Sequence, residues 1–192
     1  MSAIQSQENT QALPASRWRL WIDGCGGYLL LTGTQWSVGG LSQATTADIC
    51  VRADWPRSAG SIERIDGDYF WQGRNSSDAK VLLTSGTPMP VPGSAVMTLD
   101  QPSQLSDTAV LSLNAPHRFD QHVDGVVLVR ETVLIGSGNE CHLRCRDASE
   151  RAILQLKENQ WYAKSGLSGD FYRLDPGHRL VLQSLAMTLE TA

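Results

Sequence analysis

Two stretches of this chain repeat one pattern of short strands and turns, and a duplicated pattern constrains architecture before any local reading does. Ala47-Asp48-Ile49-Cys50-Val51-Arg52 leads to Ser61-Ile62-Glu63-Arg64-Ile65 and then to Asp68-Tyr69-Phe70-Trp71. About 92 residues later, Asn139-Glu140-Cys141-His142-Leu143-Arg144 leads at the same spacing to Ile153-Leu154-Gln155-Leu156-Lys157 and Gln160-Trp161-Tyr162. In the first copy an Asp66-Gly67 pair separates two apolar-polar alternations, among the strongest short-range signals for a β-hairpin. The repeat therefore predicts a duplicated all-β unit.

The rest of the chain agrees. Trp18, Leu20 and Ile22 alternate with Arg19, Trp21 and Asp23, as a strand with one buried face requires. Glycine turns follow at Gly24, Gly26, Gly27 and Gly33, with apolar returns at Tyr28–Leu31 and Gln35–Val38. Lys80–Leu83, Ala95–Leu99 and Thr108–Leu113 complete a first set. Val126–Val129, Thr132–Ile135, Phe171–Arg173, Leu180–Leu182 and the alternating Leu185–Leu189 form a second. Many short strands with turn residues between them describe sandwiches or barrels. One segment conflicts: Asp147-Ala148-Ser149-Glu150 followed by good helix formers reads locally as a capped helix. The register shared with Ser61–Arg64 favours a strand from about Ala152, since tertiary context overrides propensity.

The expected organisation is a disordered leader over 1–16, a first unit over 17–114, a linker over 115–122 and a second, shorter unit over 123–192. The net charge of −4 and pI near 5.5 argue against a nucleic-acid partner. No apolar run reaches the ~18 residues of a membrane span, and no secretory signal is evident. Cys50, Cys141 and Cys145 lie in strand-like apolar stretches, where reduced, buried thiols are expected. That reading points to the cytoplasm.

The succession of a strand ending Val38-Gly39-Gly40 or Ile135-Gly136-Ser137, the Ala47–Arg52 or Asn139–Arg144 segment, a turn, and an Asp66–Tyr69 or Asn159–Tyr162 hairpin resembles the forkhead-associated (FHA) domain. So does Gln101–Ser106, similar to an edge feature of bacterial members. The resemblance implies two tandem SMAD/FHA-like antiparallel β-sandwiches whose apical loops face a protein partner, such as a phosphoprotein substrate of a Ser/Thr kinase. In the family an Arg follows the glycine ending the third strand; Gly40 and Ser137 stand there. The family Ser falls on Pro56 and Ala148, and its loop-propping His on Ala59 and Arg151. For the Asn-Gly pair the nearest matches are Asp78-Ala79 and Gly169-Asp170. No position fits in either copy.

A phosphate carries close to two negative charges, and holding it takes an Arg fork or several aimed donors. Losing even one charge-assisted contact costs on the order of 1.5–3 kcal/mol. Losing Arg, Ser and Asn together predicts that usual phosphothreonine binding is gone, and an acidic Asp78 would repel a phosphate further. Substitute candidates are Arg52, Arg57, Ser58, Arg74 and Asn75 in the first unit, and Ser137, Arg144, Ser149 and Arg151 in the second. The expected function is a non-catalytic protein-protein interaction module; the alternative is phosphothreonine-peptide binding through these relocated arginines.

Other constellations are weaker. Cys141-His142 with Cys145 is half a zinc site and lacks a second pair, so strand core accounts for it better. Gly136-Ser137-Gly138 is too short for a nucleotide loop. His117 and His122, near Asp120 and Asp124, read as a solvated connection. Neither a nucleophile elbow nor a supported Cys/His pair appears, so no enzyme, metal or cofactor is expected. Trp21 and Trp55 fall on an outward face and a loop. They read equally well as exposed contact residues or as packing between the units.

Overall fold

A computed structural model describes residues 16–41, 47–75, 77 and 79–192. The leader expected over 1–16 lies outside them except for Ser16, whose N–H donates to Thr32 Oγ1 at 2.9 Å.

The protein is all-β. Its strands are β1 (Arg17–Ile22), β2 (Gly26–Leu31), β3 (Gln35–Gly40), β4 (Ile49–Arg52), β5 (Gly60–Ile65), β6 (Asp68–Gly73), β7 (Val81–Leu83), β8 (Met97–Asp100) and β9 (Ala109–Leu113). Then come β10 (Arg118–Phe119), β11 (Gly125–Leu128), β12 (Thr132–Gly136), β13 (Leu143–Arg144), β14 (Ala152–Lys157), β15 (Gln160–Ser165), β16 (Tyr172–Arg173), β17 (Arg179–Leu182) and β18 (Leu185–Thr191). Among the described residues the helical content is one short 3-10 turn at Asp120–His122. None of their helices is long and apolar enough to cross a membrane. The segment with helix-like propensity is extended from Ala152, where β14 pairs with β12 and β15.

Three sheets stack in layers. A seven-stranded sheet, ordered β17-β18-β1-β2-β11-β9-β8, is flanked by a six-stranded sheet (β10-β4-β3-β5-β6-β7) and a five-stranded sheet (β13-β12-β14-β15-β16). The shared sheet draws strands from both sides of residues 115–122, and that segment itself supplies β10, which pairs with β4. At the seam, β2 runs parallel to β11. Leu29, Leu31, Val126 and Leu128 face the core under the six-stranded sheet, while Leu30 and Val127 face the core under the five-stranded one. Strands buried on both faces read as continuous apolar runs, which is how Leu29-Leu30-Leu31 and Val126-Val127-Leu128 are written.

The repeat is real in three dimensions. β4-β3-β5-β6-β7 and β13-β12-β14-β15-β16 have the same order, each beginning with a parallel pair. Both hairpins turn through two residues of positive φ, Asp66-Gly67 and Glu158-Asn159, as a right-twisted hairpin requires. The sequence alignment nonetheless needs a correction of two residues at β13. Val38 and Ile135 are equivalent, because each starts beside its antiparallel partner, Gly60 and Ala152. Val38 pairs with Ile49 and Ile135 with Leu143, so Ile49 matches Leu143 rather than Cys141. A slip of two keeps every side chain on its face, so alternation alone could not detect it.

The cysteine expectation also needs correction. Cys145 is not a free thiol: it forms a disulfide with Cys25, joining the β1–β2 turn to the loop after β13. Cys50 and Cys141 are free. The bridged residues meet across a 120-residue separation, a proximity that no local pattern encodes.

Candidate functional site

Register places the candidate loops at one end of each flanking sheet. β3 and β4 are parallel, and β5 starts opposite both Val38 and Gly73, the last residue of β6. Loop 53–59 and the chain following Gly73 therefore leave from the same end. In the second unit β14 starts opposite Ser165, the last residue of β15, so loop 145–151 and the chain after Ser165 leave together.

At the first tip the backbone of Trp55-Pro56-Arg57 packs directly on the end of β3. Gly40 N–H donates to Pro56 O at 2.7 Å. A Cβ on Gly39 would lie 1.9 Å from Arg57 O, and one on Gly40 would lie 2.3 Å from Trp55 O. The position that the FHA resemblance gives to arginine is thus sealed by main chain and cannot hold even a methyl group. The loop is tied down further: Asp54 Oδ1 accepts from Ser94 N–H at 3.1 Å and Ser94 Oγ at 2.8 Å. These bonds hold the Asp54 carboxyl below its usual range. Trp55 is core, not a contact residue; it is 7% exposed and its indole donates to Ala95 O at 3.2 Å. Trp21 is half-buried over Gly27, its indole donating to Glu190 Oε2 at 3.0 Å.

The predicted residues separate into two groups. Arg52 is paired, donating through Nε and Nη2 to Asp120 Oδ1 at 3.1 and 3.0 Å. Arg57, Ser58, Arg74 and Asn75 are exposed, and their side chains make no hydrogen bond or ion pair among the described residues. Asp78, the expected repulsive charge, lies outside those residues.

Most of the second tip is closed on itself, with Arg146 exposed and without a partner among the described residues. Arg151 forms an ion pair with Glu140. Arg144 Nη2 donates to Asn139 O at 3.4 Å. Ser149 donates its N–H to Ser184 Oγ at 3.0 Å, and the two hydroxyls lie 2.9 Å apart. Ser165 Oγ donates to Glu150 Oε2 at 3.0 Å. Ser137 is exposed beside this network. Cys141 and His142 are buried, and Cys145 is committed to Cys25, so the trio does not assemble as thiolate-imidazole ligands.

Sequence reasoning missed the counter-ions Asp120 and Glu140, which neutralise two of the chosen arginines. It also missed an anchor common to both units. Asp48 Oδ2 accepts from Ser37 N–H at 2.8 Å, and His142 Nδ1 accepts from Leu134 N–H at 2.9 Å. In the corrected register Asp48 matches His142 and Ser37 matches Leu134. The acceptor therefore satisfies the same strand N–H in each copy. Burial pushes the His142 imidazole down to about 4, which keeps it neutral and able to accept. Cys50 lines a surface cavity with Arg17, Leu29, Phe119, Asp120 and Gln121. Burial raises its thiol above the usual range, which disfavours the nucleophilic thiolate.

In comparisons with known proteins, no family model, curated protein or solved structure matches the chain.

Proposed function

We propose that the protein is a non-catalytic protein-protein interaction module built of two degenerate FHA-like units that lack the usual phosphothreonine contacts. The observation that carries this reading is the sealed end of β3. Main chain fills the space an arginine would need at Gly40, and at the second tip Arg151 is held by Glu140 and Arg144 by Asn139 O. Titration with a phosphothreonine peptide library is the test, and no saturable binding tighter than about 100 μM is expected, a threshold near −5.5 kcal/mol.

A second reading has its own support. Arg57, Ser58, Arg74 and Asn75 stand exposed at the first tip with no partner among the described residues, two cations and two polar groups able to meet a phosphate. Micromolar phosphopeptide binding that Arg57→Ala or Arg74→Ala removes would favour this alternative. A cytoplasmic location loses its main support once Cys25 and Cys145 are joined, because disulfides persist mainly in oxidising compartments. Metal analysis of the purified protein tests the non-catalytic reading separately, and stoichiometric zinc would defeat it.

A further inference from the structure

Five matching outward strand positions of the duplicated hairpins differ in the sign of their charge. In the first copy the outward positions of β5 and β6 hold Glu63, Ile65, Asp68, Phe70 and Gln72, with Lys80 paired to Glu63. The matching positions of β14 and β15 hold Gln155, Lys157, Gln160, Tyr162 and Lys164. Two carboxylates have become amides, and two uncharged residues have become cations. The chain has three lysines in all, so two of three sit on this one face.

Aromatic residues organise those cations. Extending the β15–β16 register sets Phe171 opposite Lys164, while Arg173 stands opposite Tyr162. The Phe171 ring lies 5.0 Å from Lys157 Nζ and 4.9 Å from Lys164 Nζ. Attraction to the ring face fixes both ammonium groups without neutralising them. Lys164 also donates to Leu167 O at 2.7 Å, yet neither lysine is ion-paired among the described residues. Arg173 is paired to Asp175, and Glu158 and Asp170 border the strip. Leu167 is 80% exposed alongside, whereas Tyr172 stands opposite the buried Ala163 and so belongs to the other side of the sheet. β16 is an edge strand with one side unpaired.

We infer that this outer face of the five-stranded sheet is the docking surface for an extended acidic segment of a partner protein, with apolar side chains between its carboxylates. Carboxylates would meet Lys157 and Lys164, apolar side chains would cover Phe171 and Tyr162, and the β16 edge would offer backbone hydrogen bonds. The inference rests on the interaction-module reading and gives it a surface on the outer sheet face, running from the β14–β15 hairpin to the loop that follows Ser165.

The test is fluorescence anisotropy of the full chain with a labelled peptide alternating glutamate with valine and phenylalanine. A lysine-for-glutamate peptide and a phosphothreonine peptide serve as parallel arms. The acidic peptide alone should bind. Its affinity should fall at least about tenfold in Lys157→Glu/Lys164→Glu and should weaken with added salt, while Arg57→Ala/Arg74→Ala leaves it unchanged. Absence of saturable binding, or equal affinity in the lysine variant, overturns the assignment. Loss of binding only in the Arg57→Ala/Arg74→Ala variant defeats this surface and leaves the module reading intact. Wild-type self-association that the lysine variant abolishes would give the face to a second copy of the chain and overturn the partner proposed. Stoichiometric zinc would defeat the module reading and this surface with it.

Discussion

At the first loop tip Arg57 and Arg74 are exposed without carboxylate partners among the described residues, and the backbone around Arg57 packs onto the end of β3, whereas at the second tip Arg151 is taken by Glu140 and the loop is tethered by a disulfide. The strand plan beneath the two tips is the same. The difference teaches that the sheets, not the loops, carry the duplicated constraint. Alternating burial must be kept for each sandwich to close, while the tips are free to lose an arginine pocket or to satisfy their charges internally. The cores diverge within the same plan as well. Tyr69 in the first unit donates its hydroxyl to Asp107 O at 2.6 Å beneath a buried Arg64, while its match Trp161 packs edge-on against Trp18 with ring centroids 5.4 Å apart.

The contrast can be broken most forcefully at the tether. Replacing both Cys25 and Cys145 by serine should cost about 4–5 kcal/mol in urea denaturation, the scale for closing a loop of this length. A loss under about 1 kcal/mol would mean that the second tip does not depend on the bridge. Next comes the shared anchor. His142 is held near 4 in the folded protein against about 6.5 when unfolded, so the unfolded chain binds more protons between those values. Stability is therefore full above about pH 6.5 and falls as pH drops toward 4, by roughly 1.4 kcal/mol per pH unit and about 3 kcal/mol in all. His142→Asn should remove that slope, whatever it does to the plateau, and an unchanged profile would contradict the neutral-acceptor role. Gly40→Ala should destabilise by about 2 kcal/mol through its clash with Trp55 O, while the matching Ser137→Ala stays within about 0.5 kcal/mol. Equal effects would show that the first tip is not sealed. The smallest change is Glu140→Ala, which should cost less than about 1 kcal/mol because the pair with Arg151 is only half-buried. A larger loss would make that pair structural rather than a neutralising contact.

Most of the fold was legible because it is written in alternation. The Asp66-Gly67 hairpin, the strand at Ala152 and the duplication follow from period-two burial and turn chemistry. The shared seven-stranded sheet was not legible. The parallel pairing of β2 with β11 joins residues almost a hundred positions apart, and an apolar run such as Leu29-Leu30-Leu31 does not say which two cores it divides. The candidate site was less legible still. Arg52 and Arg151 were recognisable as cations near loop tips, but whether a cation is free depends on Asp120 and Glu140, brought near by tertiary structure. The same holds for Cys145, whose strand-like neighbourhood suggested a buried thiol, and for Trp55, whose loop position suggested exposure.

The most direct measurement is an amide-resolved NMR titration of the full chain with a phosphothreonine peptide. The sealed Gly40 position and the paired Arg151 predict no saturable shifts in residues 53–59, 74–80 or 145–151. Saturable shifts centred on Gly40, Arg57 and Arg74 would show a working phosphate grip at the first tip and contradict the account.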